Sequence, residues 1–412
     1  MRGVGWIAST SVIDLTDTGL YEDGFPHEVF ARLRVEAPVF WQEFDGRVPD
    51  SMEPGAWVLS KHSDVQAVNR DDTRFSAIDG PVLAYVPEMR GLMLVSMDGE
   101  QHTRLRRLIS AGFTPRMIGK FDEQCRKWAA RLIDDALAFG DIDFVSEIAY
   151  KLPMHMIADI VGIPESDRDW LFSIVNSLLL SVAPASGMSK EDALDLQVEL
   201  FEYAEQLGRS RREQPSDDVW TTLSTVELDG DGLGEAELNF FFMLLTAAGS
   251  ETTRNALAVG LATLAKHPDQ LDRLRSDRSL LKSSVDEILR WASPVSYFAR
   301  RATVDVEIRG VPIKAGDRVT LWYPSANRDD EVFADPFTFD ITRTPNPHVS
   351  FGGGGPHYCL GASLAKLEIN ILVDELLRRT EAIEILSPLV WQFLTVGNPI
   401  LLATKELRVR LS

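Results

Sequence analysis

The sequence predicts a mainly helical protein with a small β lobe, an α+β fold class. Apolar residues recur at helical spacing through most of residues 120–225, and one uninterrupted helical pattern covers residues 235–266. Patterns typical of strands are confined to residues 28–70 and to a stretch after residue 293. No repeat, low-complexity tract or linker divides the chain, which predicts a single domain over residues 1–412.

The predicted β lobe combines the N-terminal region with the strand-rich stretch after residue 293. Its expected elements are helices over residues 28–36 and 63–69 and strands over residues 39–44, 57–59, 304–308, 311–313 and 319–322. A turn at Asp45-Gly46 ends the first of these strands.

The longest helical pattern begins after Gly234 and ends before His267-Pro268. At 1.5 Å per residue, such a helix would be about 48 Å long and would cross the whole molecule. Gly249 lies in its middle, where glycine costs roughly 1 kcal/mol relative to alanine, so a compensating reason is expected. Either a neighbouring helix packs closely there, or a small ligand such as dioxygen needs room.

Composition excludes some classes of partner. The net charge is −20, from 62 acidic and 42 basic residues, which argues against nucleic acid as a partner. The only cysteines are Cys125 and Cys359, which gives no disulfide framework and suits a reducing, cytoplasmic location. We expect no signal peptide and no membrane anchor, because no window reaches the roughly 18 uninterrupted apolar residues needed to span a bilayer.

A glycine-rich loop precedes one of the two cysteines. Residues 351–361 read Phe-Gly-Gly-Gly-Gly-Pro-His-Tyr-Cys-Leu-Gly, and a helical pattern follows. Glycines let the backbone approach a flat ligand, and a thiolate at a helix N-terminus is stabilised by free N–H groups. Such a thiolate suits an axial haem ligand. The alternatives are a buried, inert cysteine and a phosphate-binding loop, which is disfavoured because His-Tyr-Cys stands where a lysine would be.

Other motifs are weak when taken singly. His102 and Arg106 are four residues apart on one helix face, which by itself favours a solvated basic face. Glu287 and Arg290 have the spacing of a surface helix pair. Residues 81–97 carry little charge and form either a core loop or a lid over an apolar pocket.

Taken in order, these motifs resemble those of the cytochrome P-450 superfamily, soluble bacterial type. The cysteine loop supplies the family's Phe351, Gly352, Gly355, His357, Cys359 and Gly361, with one residue more between Phe351 and Cys359 than the commonest family spacing. The resemblance implies a triangular, mainly α fold in which haem b lies between the long central helix and the helix after the cysteine loop. It implies that Cys359 is the iron ligand.

The resemblance also assigns roles to the other motifs. His102 and Arg106 would reach a haem propionate, and so would Arg300 or its neighbour Arg301, of which we favour Arg300 by counting back from the Gly310 turn. The implied haem contacts are Cys359, His102, Arg106, Arg300, His357, Phe351 and Gly361. Residues 247–253 are similar to the family's oxygen-activating motif, and the implied catalytic residues are Thr252, Glu251, Gly249 and Ala248. Gly249 would make space for dioxygen, while Thr252 and Glu251 would deliver the two protons that O–O cleavage needs.

Further residues are expected to support the site. Glu287 and Arg290 are implied to be buried behind the haem, with Arg343 as the third member of the set, and Cys125 is expected to be a structural thiol. The expected substrate-pocket residues are Val82, Leu83, Val86, Met89, Leu94, Phe242, Leu245, Val295, Phe298 and Val396.

The implied function is hydroxylation of an unactivated C–H bond with O2. Electrons would come from NAD(P)H through a ferredoxin reductase and a ferredoxin. The expected docking cations are Arg104, Arg107, Arg116, Lys120 and Lys366. Similarity to actinobacterial sterol and methyl-branched lipid hydroxylases implies a hydrophobic small molecule, namely a branched lipid, a terpenoid or a sterol side chain. The alternatives are a peroxide-driven or rearranging enzyme of the same fold, and a haem-containing sensor without turnover.

Overall fold

The computed structural model describes residues 13–46, 48, 53–83, 90–181, 188–393 and 402–412. The α-helices are α1 (His27–Glu36), α2 (His62–Asn69), α3 (Gly99–Ser110), α4 (Pro115–Lys120), α5 (Asp122–Phe139), α6 (Lys151–Val161), α7 (Arg168–Ser181), α8 (Lys190–Glu213), α9 (Val219–Thr225), α10 (Glu235–Lys266), α11 (Pro268–Ser276), α12 (Leu281–Ala292), α13 (Tyr323–Ala326) and α14 (Ala362–Arg379). The strands are β1 (Val39–Glu43), β2 (Gly55–Leu59), β3 (Phe75–Ser76), β4 (Asp141–Asp143), β5 (Glu227–Leu228), β6 (Asp231–Gly232), β7 (Tyr297–Ala302), β8 (Val306–Ile308), β9 (Val311–Ile313), β10 (Arg318–Trp322), β11 (Ile383–Ile385), β12 (Val390–Phe393), β13 (Leu402–Glu406) and β14 (Arg408–Leu411).

Helix α10 has the bounds that the sequence predicts, because both of its ends carry local signals. The side chain of Glu237 accepts a hydrogen bond from the Gly234 N–H at 2.9 Å, which caps the first turn. At the other end, His267 leaves the helical conformation just before Pro268. Helices α6, α8, α12 and α14 all contact α10, so that it is the central element of the helical part.

The β lobe is built on a five-stranded sheet of order β1-β2-β10-β7-β3. Strand β2 pairs with β10 in parallel, and the other neighbours pair antiparallel. This sheet joins the N-terminal region to the chain after residue 293, as the sequence predicts. Side chains of β7 alternate between its faces, so that Tyr297 and Ala299 pack on one side while Ala302 packs on the other.

The predicted fold class is confirmed, since helices form most of the described chain and small sheets form the rest. Cys125 on α5 is fully buried, and burial raises the pKa of its thiol, which agrees with a structural role. Among the described residues, no helix is long and apolar enough to cross a membrane.

Helix α14 packs on α5 and carries a buried carboxyl group at this contact. Glu368 is 2% exposed, and its Oε2 has no hydrogen-bond partner among the described residues. Burial raises the pKa of Glu368 to about 8. A proton bound to Glu368 therefore stabilises the fold on which the cysteine loop rests.

We expect Glu368→Gln to stabilise the protein at alkaline pH. Because the pKa is higher in the folded than in the unfolded chain, the folded state binds more protons between these two values, and its stability falls as pH rises from about 4.5 to about 8. Gln cannot ionise, so the variant avoids this loss of unfolding free energy, which is about 1.4 kcal/mol for each unit between the folded and unfolded pKa values. Thermal unfolding midpoints of both proteins at pH 5 and pH 9 test this. A difference between the two proteins that is the same at both pH values would contradict it.

Candidate active site

The cysteine loop is a tight turn that depends on its glycines. Gly352 to Gly355 all have positive φ angles, of 97°, 69°, 103° and 85°, a region that other residues rarely adopt. A Cβ on Gly355 would lie 2.3 Å from the backbone oxygen of Asn69, so the loop also needs glycine to approach α2. The Cys359 N–H still donates to the Phe351 carbonyl at 3.0 Å. The additional residue in this loop therefore does not separate its two ends.

Cys359 is exposed to solvent, yet it is surrounded closely enough that burial raises the pKa of its thiol. A hydrogen bond from the Gly361 backbone and the Arg106 guanidinium act in the opposite direction. The backbone N–H at the start of α14 thus favours the thiolate, as expected, but without a cofactor the cost of burying a charge is larger. A bound metal cation removes this cost, since a coordinating thiol loses its proton to the metal.

Four basic side chains predicted as haem contacts come together beside this thiol. The rings of His102 and His357 lie 4.3 Å apart between centroids. The Nη2 of Arg106 donates to the Tyr358 carbonyl at 2.5 Å. Burial, followed by the charges of His357, Arg106 and Arg300, lowers the pKa of His102 to about 4. The permanent positive charges of the arginines thus oppose protonation of the neighbouring histidine in this buried position.

One carboxylate, Asp98, only partly balances this cluster. Its oxygens accept from the Ser76 hydroxyl and from the Ala77 N–H, and His357 Nε2 lies 3.7 Å from its Oδ1. Burial raises the pKa of Asp98, but these partners outweigh burial and lower it to about 2. The Nε2 atoms of His102 and His357 have no hydrogen-bond partner among the described residues. Buried donors in excess of acceptors fit the two carboxylates of haem b.

The structure separates Arg300 from Arg301. Arg300 is 3% exposed and acts electrostatically on both histidines of the cluster. Arg301 lies on the other side of β7 and forms ion pairs with Asp79 and, at 2.6 Å, with Glu53. Only Arg300 therefore belongs to the cationic cluster.

We expect Arg300→Gln to weaken haem retention, because a buried propionate would lose its permanently charged partner. Transfer of haem to apomyoglobin measures the rate of loss, and we expect it to rise roughly tenfold or more, since a charged hydrogen bond contributes about 1.5–3 kcal/mol. Arg301→Gln is the matched control and should leave this rate near that of the unmodified protein. Equal rates for Arg300→Gln and the unmodified protein would contradict the assignment.

On α10, one face combines three of the predicted residues. Leu245, Ala248 and Thr252 recur at spacings of three and four, so they share a face. Ala248 is exposed although it lies in the middle of this helix, and Leu245 and Thr252 are partly exposed. The Thr252 hydroxyl donates to the Ala248 carbonyl at 2.9 Å. This face presents a hydroxyl beside small and apolar side chains.

The other two predicted catalytic residues, Gly249 and Glu251, do not lie on this face of α10. A Cβ on Gly249 would meet Cδ1 of Ile157 at 2.8 Å, so close packing of α6 gives a reason for this glycine, while space for dioxygen at Gly249 stays a prediction. Glu251 is 2% exposed and forms a buried ion pair with Arg254, whose guanidinium lies over the Tyr150 ring. Glu251 makes no hydrogen bond with the Thr252 hydroxyl, which donates to the Ala248 carbonyl.

The predicted pocket residues fall into several groups. Val86 and Met89 lie in residues 84–89, and Val396 lies in residues 394–401, which are outside the described residues. Phe242 is a wrong prediction: it is fully buried and packs 5.1 Å from the ring of Trp220, away from the face of Ala248. Leu245 remains on the correct face of α10.

The pocket residues of the β lobe and its surroundings are mostly in packed positions. Leu94 is buried in the helical core with Leu105 and Ile109, and Leu83 is buried in the β lobe with Tyr297. Core packing accounts for both side chains, so their place in the pocket stays a prediction. Val82 packs against the same part of the β lobe as Leu83, and Val295 packs against the opposite face of the sheet. Phe298 lies on the Arg300 side of β7.

Behind the cysteine loop, Glu287 organises a buried ion network. Its carboxylate accepts from Arg290 at 2.7 and 2.8 Å, and Arg343 Nε lies 3.2 Å away. Arg290 also donates to the carbonyls of Asn327 and Pro336, both at 2.9 Å. Neither Glu287 nor Arg290 is exposed. Glu287 and Arg290 have the spacing of a surface helix pair, but here they are buried. Together they join α12 to the segment that leads into the cysteine loop.

Sequence reasoning missed Asp98 and Asp286. Asp98 directly precedes α3, a position where acidic residues are common as helix caps, so nothing in the sequence distinguishes it from an ordinary cap. Asp286 precedes Glu287 on α12 and has Lys366 Nζ at 2.7 Å. Lys366 lies 80 positions further along the chain, so no local sequence pattern predicts this ion pair.

The expected docking cations are mostly paired within the chain. Arg104 binds Asp231 and Glu237, both at 2.6 Å, and Arg107 lies 3.1 Å from Asp229. Lys120 pairs with Asp217, as Lys366 does with Asp286. The predicted set is therefore not a group of free positive charges.

Comparison with known proteins agrees with this geometry. The family model described as Cytochrome P450 matches residues 169–384. Cytochrome P450 126 of Mycobacterium tuberculosis is 42% identical over 93% of this chain and 94% of its own. The steroid C26-monooxygenase of Mycolicibacterium smegmatis is 40% identical over 88% of this chain and 86% of its own. The methyl-branched lipid omega-hydroxylase of Mycobacterium bovis is 41% identical over 87% of this chain and 85% of its own.

A solved structure gives the same result for the fold. A cytochrome P450 of Mycobacterium marinum, in complex with pseudoionone, has a TM-score of 0.87 and 32% identity, covering 98% of this chain and 100% of its own. The chain belongs to the cytochrome P450 family. It is a P450 monooxygenase whose cofactor is haem b, and its relatives include lipid and sterol hydroxylases.

Proposed function

We propose that this monooxygenase hydroxylates an unactivated C–H bond of a branched lipid, a terpenoid or a sterol side chain, with electrons from a ferredoxin system. One observation carries the proposal: an accessible thiol, Cys359, lies beside a cluster of basic side chains whose donors, among the described residues, exceed the acceptors that Asp98 offers. This set of groups suits an iron ligand together with the two propionates of haem b.

The residues of the cysteine loop and α3 have distinct roles in this proposal. Cys359 Sγ is the thiolate ligand, and the Gly361 N–H and the Arg106 guanidinium stabilise its charge. Arg300, His102 and His357 hold the propionates, with Arg106 at the side nearest the thiol. Bound haem supplies the binding and activation of dioxygen, which a thiolate ligand favours by donating electron density.

The proton supply is assigned to α10. A hydroxyl group both donates and accepts hydrogen bonds, so the Thr252 hydroxyl can exchange its 2.9 Å bond to the Ala248 carbonyl for one to the reacting oxygen. Burial raises the pKa of Glu251, which favours the protonated carboxyl that can act as a donor. Glu251 can serve Thr252 only after it separates from Arg254.

Two features support the substrate class. The Ala248 face of α10 offers Leu245 and no charged side chain, and Phe298 lies on the Arg300 side of β7. Relatives named for steroid C26 and methyl-branched lipid omega oxidation are about 40% identical to this chain. We therefore infer oxidation at or near a terminal carbon of a branched apolar chain.

The proposed electron donors are NAD(P)H, a ferredoxin reductase and a ferredoxin, in the cytoplasm. Both cysteines are free thiols, which suits a reducing compartment. Since four of the five expected docking cations pair with carboxylates of this chain, an acidic ferredoxin would have to exchange these pairs or bind near Arg116.

The test is an optical titration of the ferric protein with sterols, branched fatty acids and small terpenoids. A saturable shift from low to high spin with one class would identify the substrate class, because the ligand displaces water from the haem. An Ala248→Phe variant should weaken that shift by filling the exposed face of α10. No spin-state shift with any of these classes would contradict the proposed substrate class. An unchanged shift in Ala248→Phe would contradict the proposed binding face on α10.

A further inference from the structure

Lys366, expected to be a docking cation, makes two contacts within the chain, although 41% of its side chain remains exposed. It lies in the second turn of α14, seven positions after Cys359. Its Nζ is 2.7 Å from Oδ1 of Asp286 on α12 and 5.7 Å from the centroid of the Phe351 ring. An ammonium group at this distance from an aromatic ring is attracted to it. Lys366 therefore links α12 to the first residue of the cysteine loop.

The other neighbours of the Phe351 ring complete a small cluster. The ring of Tyr358 lies 6.2 Å away in an edge-on arrangement, and the ring of His348 lies 5.8 Å away. His348 Nε2 is also 3.6 Å from Asp286 Oδ1. One carboxylate thus holds two of the three groups that surround the ring.

The electrostatics of Asp286 agree with this arrangement. Burial raises the pKa of its carboxyl, but His348 and Lys366 outweigh burial and lower the pKa to about 2. Asp286 is therefore ionised over the whole working range of the protein and keeps Lys366 in place. Its neighbour Glu287 holds Arg290 and Arg343, so two consecutive carboxylates on α12 hold two separate segments.

The contact reaches the thiol through the backbone. The carbonyl of Phe351 accepts the hydrogen bond of the Cys359 N–H at 3.0 Å. The Phe351 ring, which Lys366, His348 and Tyr358 surround, therefore helps to fix where this carbonyl lies. A change at Lys366 would move the carbonyl and alter the hydrogen bonding of the cysteine.

We propose that Lys366, held by Asp286, is a positioning residue that fixes Phe351 and thereby tunes the reduction potential of the haem bound at Cys359. This inference rests on the proposed function, in which Cys359 is the iron ligand. Lys366 acts through Phe351 and does not touch the reacting atoms. The positive charge also favours the reduced state, since reduction adds one negative charge to the site.

Spectroelectrochemical titration of the substrate-free holoenzyme tests the proposal with two variants. Lys366→Gln removes the cation together with its contact with the Phe351 ring and should lower the potential. Asp286→Asn releases Lys366 from this contact and should shift the potential in the same direction. A contact of this strength corresponds to a roughly 2- to 5-fold change in the ferrous-to-ferric ratio at a fixed ambient potential. Lys366→Arg keeps both contacts and should retain the original value.

Lys120→Gln is the matched control, because Lys120 pairs with Asp217 on the surface and does not contact Phe351. Its potential should equal that of the unmodified protein. An unchanged potential in Lys366→Gln, with a raised KM for the ferredoxin, would overturn the proposal and return Lys366 to a docking role. Absence of the thiolate-type carbon monoxide spectrum in the unmodified protein would instead overturn the proposed ligand, so the two failures are distinguishable.

Discussion

A Glu287→Gln variant is expected to purify mostly without stably bound haem. Arg290 is fully buried, and Glu287 is the carboxylate that balances its charge. Removing one partner of a buried ion pair costs about 3–5 kcal/mol, because the other charge remains without compensation. Asp340 and Asn346 also donate to Glu287, so the same change loosens the segment that leads into the cysteine loop. Haem content per protein and the thermal unfolding midpoint measure the effect.

Glu36→Gln is the matched control for this prediction. Glu36 pairs with Arg32 at 3.4 Å, and about half of each side chain is exposed. Exposed pairs of this kind contribute about 0.2–1 kcal/mol, so this variant should keep its haem and nearly its full stability. Similar behaviour of Glu287→Gln and Glu36→Gln would show that the Glu287 network does not hold the cysteine loop.

Replacing Thr252 with Ala is expected to separate oxygen consumption from product formation. The variant should keep the fold, because among the described residues the Thr252 hydroxyl bonds only the Ala248 carbonyl of its own helix. It loses the group that would pass a proton to bound dioxygen, and positioned proton donors contribute about 10²–10⁴-fold to rates. Product formed per NAD(P)H consumed should therefore fall by on the order of tenfold or more, with hydrogen peroxide accounting for the lost electrons.

Thr252→Ser serves as the control, because it keeps the hydroxyl and removes only a methyl group. We expect its coupling to stay near that of the unmodified enzyme. Normal coupling in Thr252→Ala would contradict proton delivery by Thr252 and would favour an enzyme that uses peroxide directly.

The parts of the structure that carry local signals could be predicted from the sequence. Helix α10 has a capping side chain at one end and a proline after the other, and its bounds agree with the prediction. The glycine run predicts a loop with positive φ angles, and all four glycines adopt them. The residues at a fixed spacing, such as His102 and Arg106, share a face wherever the helix forms.

The parts that depend on which face meets which neighbour could not be predicted. Helix α10 is apolar on nearly all sides, so its pattern does not distinguish the side of Phe242, which meets Trp220, from the side of Ala248. Gly249 had two explanations in the sequence, and only the structure shows the contact with Ile157 that supports close helix packing.

The partners of the charged side chains could not be predicted from the sequence either, because many ion pairs join distant parts of the chain. Lys366 resembles a free surface cation in the sequence, whereas in the structure Asp286 and the Phe351 ring hold it. The same applies to Arg301, which differs from Arg300 only by its side of β7. Tertiary contacts therefore decided the roles of these residues.

The most direct test of the account is the carbon monoxide difference spectrum of the reduced protein, its Cys359→Ser variant and its Cys125→Ala variant. The account predicts the thiolate-type band for the unmodified protein and for Cys125→Ala, since Cys125 is a buried structural thiol. It predicts that Cys359→Ser loses this band, because the thiolate ligand is gone. Retention of the thiolate-type band in Cys359→Ser would contradict the account at its centre.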